Sequence, residues 1–409
     1  MHIPIFIDKD FCAANLNYVL KNKNPLVIFV KIIHMKRVVV ASDSFKGCLS
    51  SLQVADAVEA GVKSVCPSCE VVKLSVADGG EGTVQALATA MNGEIVTVLV
   101  KDPLGRDISA SYAMIRETGT AVIEVSAASG LTLLSPQERN PLAASSYGSG
   151  QLVSDALSRG CRNILMCIGG SAVNDAGMGM LSALGFRFLD ADGNRLEGSG
   201  ADMAKVCDVD SSQADPALGE TVFTVACDVD SPFCGPRGAA YVFAPQKGAG
   251  PDDVKILDEG MSHFACVIRE MTGTDVMNIQ GAGAAGGIGG AMASFLSAEL
   301  KRGAEMVLDA VRIDELLSAA DLVITGEGCV DGQTLTGKLP YCVAQRSAKA
   351  EVPVVAICGR AEVCECQYLD AIIPVTPDGM SLNEAMLPSV ASENIKKAVA
   401  SFIHDSLHI

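Results

Sequence analysis

Short, uninterrupted apolar runs punctuate this chain. Arg37–Ala41, Glu70–Val76, Asn163–Ile168, Thr221–Ala226, Asp321–Thr325 and Pro353–Cys358 are rich in β-branched residues and lack polar alternation. That pattern predicts strands covered on both faces, as in a parallel sheet. Ser50–Val65 carries Leu52, Val54, Ala55, Val58, Gly61 and Val62 at helical spacing. Val84–Ala90, Tyr147–Arg159, a small-residue stretch ending at Leu184, and Ala291–Leu300 read as further helices. Strand, loop and helix in repeated order is the signature of βα units. From Glu94 the pattern changes. Ile95–Val100, Ile108–Ile115 and Ala121–Val125 follow one another across turns such as Lys101–Gly105, and Phe186–Leu189 adds another run. Consecutive strands joined by turns predict antiparallel or mixed pairing.

The expected fold is α/β, with two α/β domains. A Rossmann-like domain built from both ends of the chain, residues 35–93 plus 295–409, receives a second α/β domain with a mixed sheet, 94–294, inserted into it. Residues 1–34 do not share the pattern. Their one apolar run, Pro25–Val30, is too short to span a bilayer and starts too late for an ordinary signal peptide. They read as an N-terminal extension, consistent with an upstream start codon.

Composition narrows the functional classes. Of 409 residues, 49 % are apolar and 19 % charged, enough to bury a large core. The net charge of −17 argues against nucleic-acid and anionic-membrane partners, which are held by Lys and Arg. Trp is absent and aromatic residues are 4 %, so base-stacking platforms are not expected. The fifteen cysteines are scattered along a long chain, which fits reduced thiols and a cytoplasmic location rather than a disulfide scaffold. Cys66/Cys69 and Cys364/Cys366 form one CxxC and one CxC pair, short of a zinc ribbon. Four of the five histidines lie near the termini, so a general base in the body of the chain is expected to be a carboxylate or a lysine.

The chemistry concentrates in loops that follow strands. Val76-Ala77-Asp78-Gly79-Gly80-Glu81-Gly82-Thr83 sets two carboxylates and three glycines between a strand and a helix. In open α/β sheets that crevice binds ligands. Glycines admit close approach to the backbone, and a helix N-terminus offers N–H groups to an anion. Carboxylates in the same loop suit a metal ion or a hydroxyl. Asp43, Asp78, Glu81, Asp175, Asp228, Glu327 and Asp331 each follow a predicted strand. One such Asp reads as a helix N-cap worth about 1 kcal/mol. Seven gathered on a rim repel one another and call for a cation, Mg2+. Lys46, inside Asp43-Ser44-Phe45-Lys46-Gly47, is either a solvated surface lysine or a cation set among the loop acids.

Two glycine motifs point to phosphate with less specificity. Gly332-x4-Gly337-Lys338 resembles a P-loop, but Leu339 stands where Ser or Thr should meet Mg2+. Gly281–Gly290 includes G-x-G-x-x-G (Gly281, Gly283, Gly286), without a strand before it or an acid about 20 residues after it. That disfavours a nicotinamide-binding fold but leaves a backbone N–H cradle for phosphate.

Together these segments resemble one family. Ser42–Gly47, Val76–Thr83, Ile168-Gly169-Gly170-Ser171-Ala172-Val173-Asn174-Asp175, Ala226–Asp230, Phe243-Ala244-Pro245-Gln246-Lys247-Gly248, Gly281–Gly290 and Ile324–Gly328 with Asp331–Thr334 are similar to the bacterial glycerate kinases of the glyoxylate and glucarate pathway type. The match runs in family order over roughly residues 35–409. It implies ATP-dependent phosphorylation of D-glycerate, most readily at the 2-hydroxyl, in a two-domain α/β fold with the active site in the cleft. Three positions depart from the family pattern: Val173 for Thr, Cys329 for Arg and Leu339 for Thr. None removes a loop carboxylate, though Cys329 takes away a phosphate-pairing cation.

On this reading Asp78, Glu327 and Asp331 are the candidates for Mg2+. Backbone N–H groups of Gly79, Gly80, Gly169, Gly170, Ser171, Gly283, Gly286 and Gly287 would hold phosphates. Lys46 and Lys247 would neutralise charge or pair with the glycerate carboxylate, with Asp43, Ser44 and Asn174 beside the substrate. Asp228 is the first choice for the base, with Asp175 and Asp78 as alternatives between which the sequence does not decide. A kinase for another small hydroxy acid, or a non-catalytic sensor of small anions, are the competing readings. Oligomeric state is open, a homodimer included.

Overall fold

The computed structural model describes residues 19–20, 35–80, 82–332, 334, 337–362 and 366–407. The extension reading of residues 1–34 therefore lies outside the described residues, apart from Val19–Leu20. The same holds for Glu81 and Cys364. The chain divides into two compact units, Met1–Val76 with Arg312–Ile409, and Ala77–Val311.

The first unit is built on a six-stranded sheet. Its central strands are β2 (Arg37–Ser42), β12 (Leu322–Val330) and β13 (Val354–Ala361), flanked by β3 (Glu70–Lys73) and β14 (Ala371–Pro374), all parallel. The two-residue strand β1 (Val19–Leu20) pairs antiparallel on the β14 edge. Val38, Val39 and Val40 of β2 and Leu322, Val323 and Ile324 of β12 are wholly buried, as continuous apolar runs require. Helix Ser51–Val65 starts with a capping box, in which Gln53 N donates to Ser50 Oγ and Ser50 N donates to Gln53 Oε1. Its apolar stripe packs on the C-terminal helix Pro388–Leu407, whose Ala391, Ile395, Val399 and Phe402 are buried.

The second unit carries a mixed six-stranded sheet in the order β11-β10-β7-β6-β5-β4. Here β4 is Glu94–Lys101, β5 Asp107–Ile115, β6 Thr120–Glu124, β7 Asn163–Cys167, β10 Val222–Ala226 and β11 Glu299–Lys301. Strands β6, β7, β10 and β11 run parallel, while β4 and β5 form an antiparallel meander with β6. A small antiparallel pair, β8 (Arg187–Leu189) and β9 (Asp208–Asp210), lies apart. The unit has its own continuous core, including Phe188, Phe223, Phe233, Phe264 and Tyr112.

Several expectations need correction. Ala291–Leu300 is not one helix: the helix is Ile288–Phe295, and Glu299–Lys301 is an edge strand beside β10. Strand β12 runs on through Gly326-Glu327-Gly328, because Gly326–Val330 pair with β13 residues from Ile357 to Ala361. The two compact units divide the chain at 76/77 and 311/312. Helix Thr83–Ala90 packs on β5 and β6, and Val84 N donates to Glu124 Oε1 at 3.0 Å, which ties it to the second unit.

Gly61 is where the helix pair of the first unit closes. A Cβ there would lie 2.7 Å from the Lys396 carbonyl oxygen and 3.0 Å from Val399 Cβ. Gly61→Val is therefore expected to destabilise the protein by about 1–3 kcal/mol through overpacking. Chemical denaturation should show a lower midpoint, and an unchanged midpoint would contradict this packing.

Candidate active site

In the second unit three loop ends converge on one pocket of about 230 Å3. Gly79 and Gly80 come from the loop before helix Thr83–Ala90, Ile168–Ser171 from the end of β7, and Ala226–Val229 from the end of β10. Phe243, Gln246, Lys247, Ala284 and Ala285 complete the lining. The strands are parallel here, so their carboxyl ends open to one side, as expected for ligand sites in α/β sheets.

Close backbone approach shapes the pocket floor. Gly79 has φ +88°, and a Cβ on it would run into Gly303 Cα. Asp78 Oδ1 accepts from Gly80 N at 3.0 Å, and Asp228 Oδ1 accepts from Gly303 N at 2.8 Å. Asp228 thus engages the first residue of helix Gly303–Ala310 with one oxygen, while its side chain stays exposed at the pocket.

Behind the pocket lies a buried polar network. Asp175, with no exposure, accepts from Ser146 N (2.7 Å), Ser146 Oγ (2.7 Å), Gly177 N (3.1 Å) and Gly179 N (3.2 Å). Burial pushes its carboxyl above the ordinary range, and these donors hold it back. Lys247, 1 % exposed, donates through Nζ to the Val173 carbonyl at 2.6 Å and to Ser171 Oγ at 3.0 Å. Burial pulls its amine down to about 7, against the opposing influence of Asp175.

The structure redistributes several expected roles. Asp175 faces the interior, engaged by four donors, and is not among the residues lining the pocket. Asn174 is also wholly buried, with Nδ2 3.3 Å from Met261 Sδ, rather than lining the pocket. Within Gly281–Gly290 the pocket is lined by Ala284 and Ala285, not by Gly283, Gly286 or Gly287. Gly283 N bonds to the Ser231 carbonyl and Gly287 N to the Gly283 carbonyl, so those N–H groups are engaged within the protein. A Cβ on Gly286 would strike the Val173 carbonyl; these glycines permit close packing beneath the pocket.

In the first unit, adjacent strands bring the Asp43 loop and Glu327 together. Asp43 N donates to the Gly326 carbonyl at 2.8 Å, and Asp43 Oδ1 accepts from Ser44 N. Glu327 Oε1 accepts from Thr334 Oγ1 at 2.6 Å, and Lys338 Nζ stands 3.7 Å from Glu327 Oε2 and 4.0 Å from Asp331 Oδ1. Burial raises the Glu327 carboxyl, while Thr334, Lys338 and exposed Lys46 favour its charged form. Asp331 and Thr334 exchange side-chain-to-backbone bonds, a capping arrangement. Among the described residues no three His, Cys, Asp or Glu side chains form a ready metal cage. Two carboxylates sharing one lysine still suit Mg2+, which commonly takes one or two protein carboxylates and completes its shell with phosphates and water. Leu339, the departure from the P-loop pattern, is wholly buried at the start of helix Leu339–Lys349.

A larger cavity of about 570 Å3 opens elsewhere in the second unit, lined by residues including Lys101, Asp102, Tyr147, Arg195 and Glu197. It holds none of the glycine-rich loops, so the smaller pocket is the better candidate for chemistry. Sequence reasoning missed Ser146, which has no motif of its own, and Gly303, whose pairing with Gly79 spans more than two hundred residues.

Similarity to known proteins gives the class, a kinase. The glycerate kinase family model matches residues 38–406. A glycerate kinase from Bacillus subtilis (strain 168) is 44 % identical over 85 % of this chain and 92 % of its own. Glycerate 2-kinase from Escherichia coli (strain K12) is 41 % identical over 89 % and 98 %. The crystal structure of a candidate glycerate kinase 2 from Salmonella typhimurium LT2 superposes with a TM-score of 0.84 at 41 % identity, covering 91 % of this chain and 98 % of that one. The chain belongs to the glycerate kinase family, and it is an enzyme of the kinase class with a nucleotide and a small molecule as substrates. Among the described residues no helix is long and apolar enough to cross a membrane.

Ser146→Ala removes one hydroxyl donor from a fully buried carboxylate. A loss of about 1.5–3 kcal/mol is expected, the range for hydrogen bonds to charged groups. Urea unfolding at neutral pH measures it, and a loss below about 0.5 kcal/mol would show that Asp175 does not depend on this hydroxyl.

Proposed function

We propose that the protein transfers the γ-phosphoryl group of ATP to the 2-hydroxyl of D-glycerate. The observation that carries this reading is the pocket in which Gly79–Gly80, Gly169–Ser171, Asp228 and Lys247 meet. Its volume of about 230 Å3 lies below the roughly 300–1,000 Å3 of sites for drug-sized ligands, which suits a three-carbon acid beside the end of a phosphate chain. The names of relatives support the reading: glycerate kinase in Bacillus subtilis for the acceptor, and glycerate 2-kinase in Escherichia coli for the 2-hydroxyl.

Phosphoryl transfer asks the protein for in-line placement and for charge neutralisation. Gly80 N already donates to Asp78 Oδ1, so the backbone N–H groups of the Gly169–Ser171 loop are the ones suited to the transferred phosphoryl oxygens. Asp228 accepts the hydroxyl of glycerate and orients it. Within the first unit, Asp43, Ser44 and Lys46 are suited to a charged ligand. Within the first unit, Glu327 and Asp331 would hold Mg2+, which would supply neutralisation of phosphate charge. The cytoplasm is the expected location.

Incubation with D-glycerate, ATP and Mg2+ is expected to yield 2-phosphoglycerate, identified by 31P NMR. Asp228→Asn should lower kcat by about 10²-fold, the scale of misplacing the reacting group. Formation of the 3-isomer, or unchanged turnover in Asp228→Asn, would refute the corresponding part. Folded enzyme that phosphorylates a different hydroxy acid and leaves D-glycerate untouched would overturn the substrate assignment.

A further inference from the structure

We infer that Lys247, as a neutral amine, is the proton acceptor for the substrate hydroxyl, and that Asp228 orients this hydroxyl without taking its proton. The inference rests on the kinase reading of the pocket. Lys247 ends the short turn Pro245–Lys247 and lines the pocket, yet is only 1 % exposed. Its Nζ meets two acceptors, the Val173 carbonyl at 2.6 Å and Ser171 Oγ at 3.0 Å. A neutral amine has two N–H groups and one lone pair. The two acceptors account for both N–H groups and leave the lone pair for a third partner. An ammonium at the same place would carry a third N–H and a charge taken out of water. A buried charge of that kind is costly unless a counter-ion pairs with it. Among the described residues no carboxylate forms an ion pair with Nζ.

The surrounding charges support this arrangement. Asp175 is the acid whose charge Lys247 senses, but Ser146, Gly177 and Gly179 already engage its oxygens. Asp228 and Cys227 line the same pocket, and Arg139 Nη1 reaches the neighbouring Gln246 carbonyl at 3.5 Å. Burial outweighs Asp175 and draws the amine down to about 7, so a large neutral fraction exists at physiological pH.

In the step, the hydroxyl O–H bond breaks and its proton passes to the lone pair of Nζ. The hydroxyl oxygen bonds to the γ-phosphorus, and the bond from that phosphorus to the bridging oxygen breaks, its electron pair leaving with ADP. Lysine ends as an ammonium beside the new phosphate ester and returns its proton to solvent before the next turnover.

The pH dependence of kcat/KM for D-glycerate, with ATP and Mg2+ saturating, separates a base from a fixed cation because the signs are opposite. A base must be deprotonated: activity should rise about tenfold per pH unit below 7 and level off above it. Lys247→Arg should lose about 10²–10⁴-fold and also lose that inflection. A phosphate-binding cation would give activity that falls above 7 and an Arg variant within tenfold of the native enzyme; either result overturns the proposal. NMR of the native protein with 13Cε-labelled lysine needs no variant to fold. One lysine is expected to titrate near pH 7, and a Lys247 still protonated above pH 9 overturns the base while leaving the substrate reading intact. Absence of turnover with D-glycerate overturns both.

Discussion

The fully buried carboxylate of Asp175 is the constraint around which the second unit's site is arranged. A charge with no exposure persists only if donors surround it. Ser146 supplies two at the head of helix Tyr147–Ser158, and Gly177 and Gly179 supply two more beside helix Met178–Ala183. Gly177 adopts φ +72°, and a Cβ on Gly179 would collide with Ser145 and Ser146. Glycine is therefore required where the acid is gripped. With Asp175 held, the segment Gly169–Asp175 is held too, and its Ser171 hydroxyl and Val173 carbonyl fix Lys247. Structural burial and chemical reactivity are thus joined through one loop.

The glycines serve two separate ends. Gly79 and Gly303 let two backbones touch, which brings Asp228 to the head of helix Gly303–Ala310. Gly283, Gly286 and Gly287 let the segment before helix Ile288–Phe295 press against Pro232, Val173 and Ala176. In sequence both groups look like phosphate loops. Only the fold distinguishes a glycine that opens a backbone to a ligand from one that makes room for a neighbouring chain segment.

Much of the fold was legible because buried parallel strands leave an unambiguous mark. The β-branched runs at Arg37–Ala41, Asn163–Ile168 and Pro353–Cys358 each coincide with an observed strand, and the meander after Glu94 pairs antiparallel as its turns suggested. The failures have physical causes. Glu299–Lys301 is a three-residue edge strand whose only signal is its partner β10, far away in sequence. Glycines in Gly326-Glu327-Gly328 read as a loop, yet pairing with β13 keeps them extended. At the site, the motif residues Gly80, Gly170, Asp228 and Lys247 line one pocket, while Asn174 and Asp175 of the same motif turn inward. Lys46 and Lys247 are equivalent as letters; one is exposed and the other sealed, and burial draws the amine of the sealed one down.

Hydrogen–deuterium exchange with and without D-glycerate, in the presence of a non-hydrolysable ATP analogue and Mg2+, tests most directly whether this pocket is where the acceptor binds. Glycerate-dependent protection is expected in the peptides spanning Gly169–Ser171 and Phe243–Gly248. Protection confined to the walls of the larger cavity, Lys101–Gly105 and Arg195–Ser199, would place the acceptor elsewhere and contradict the account.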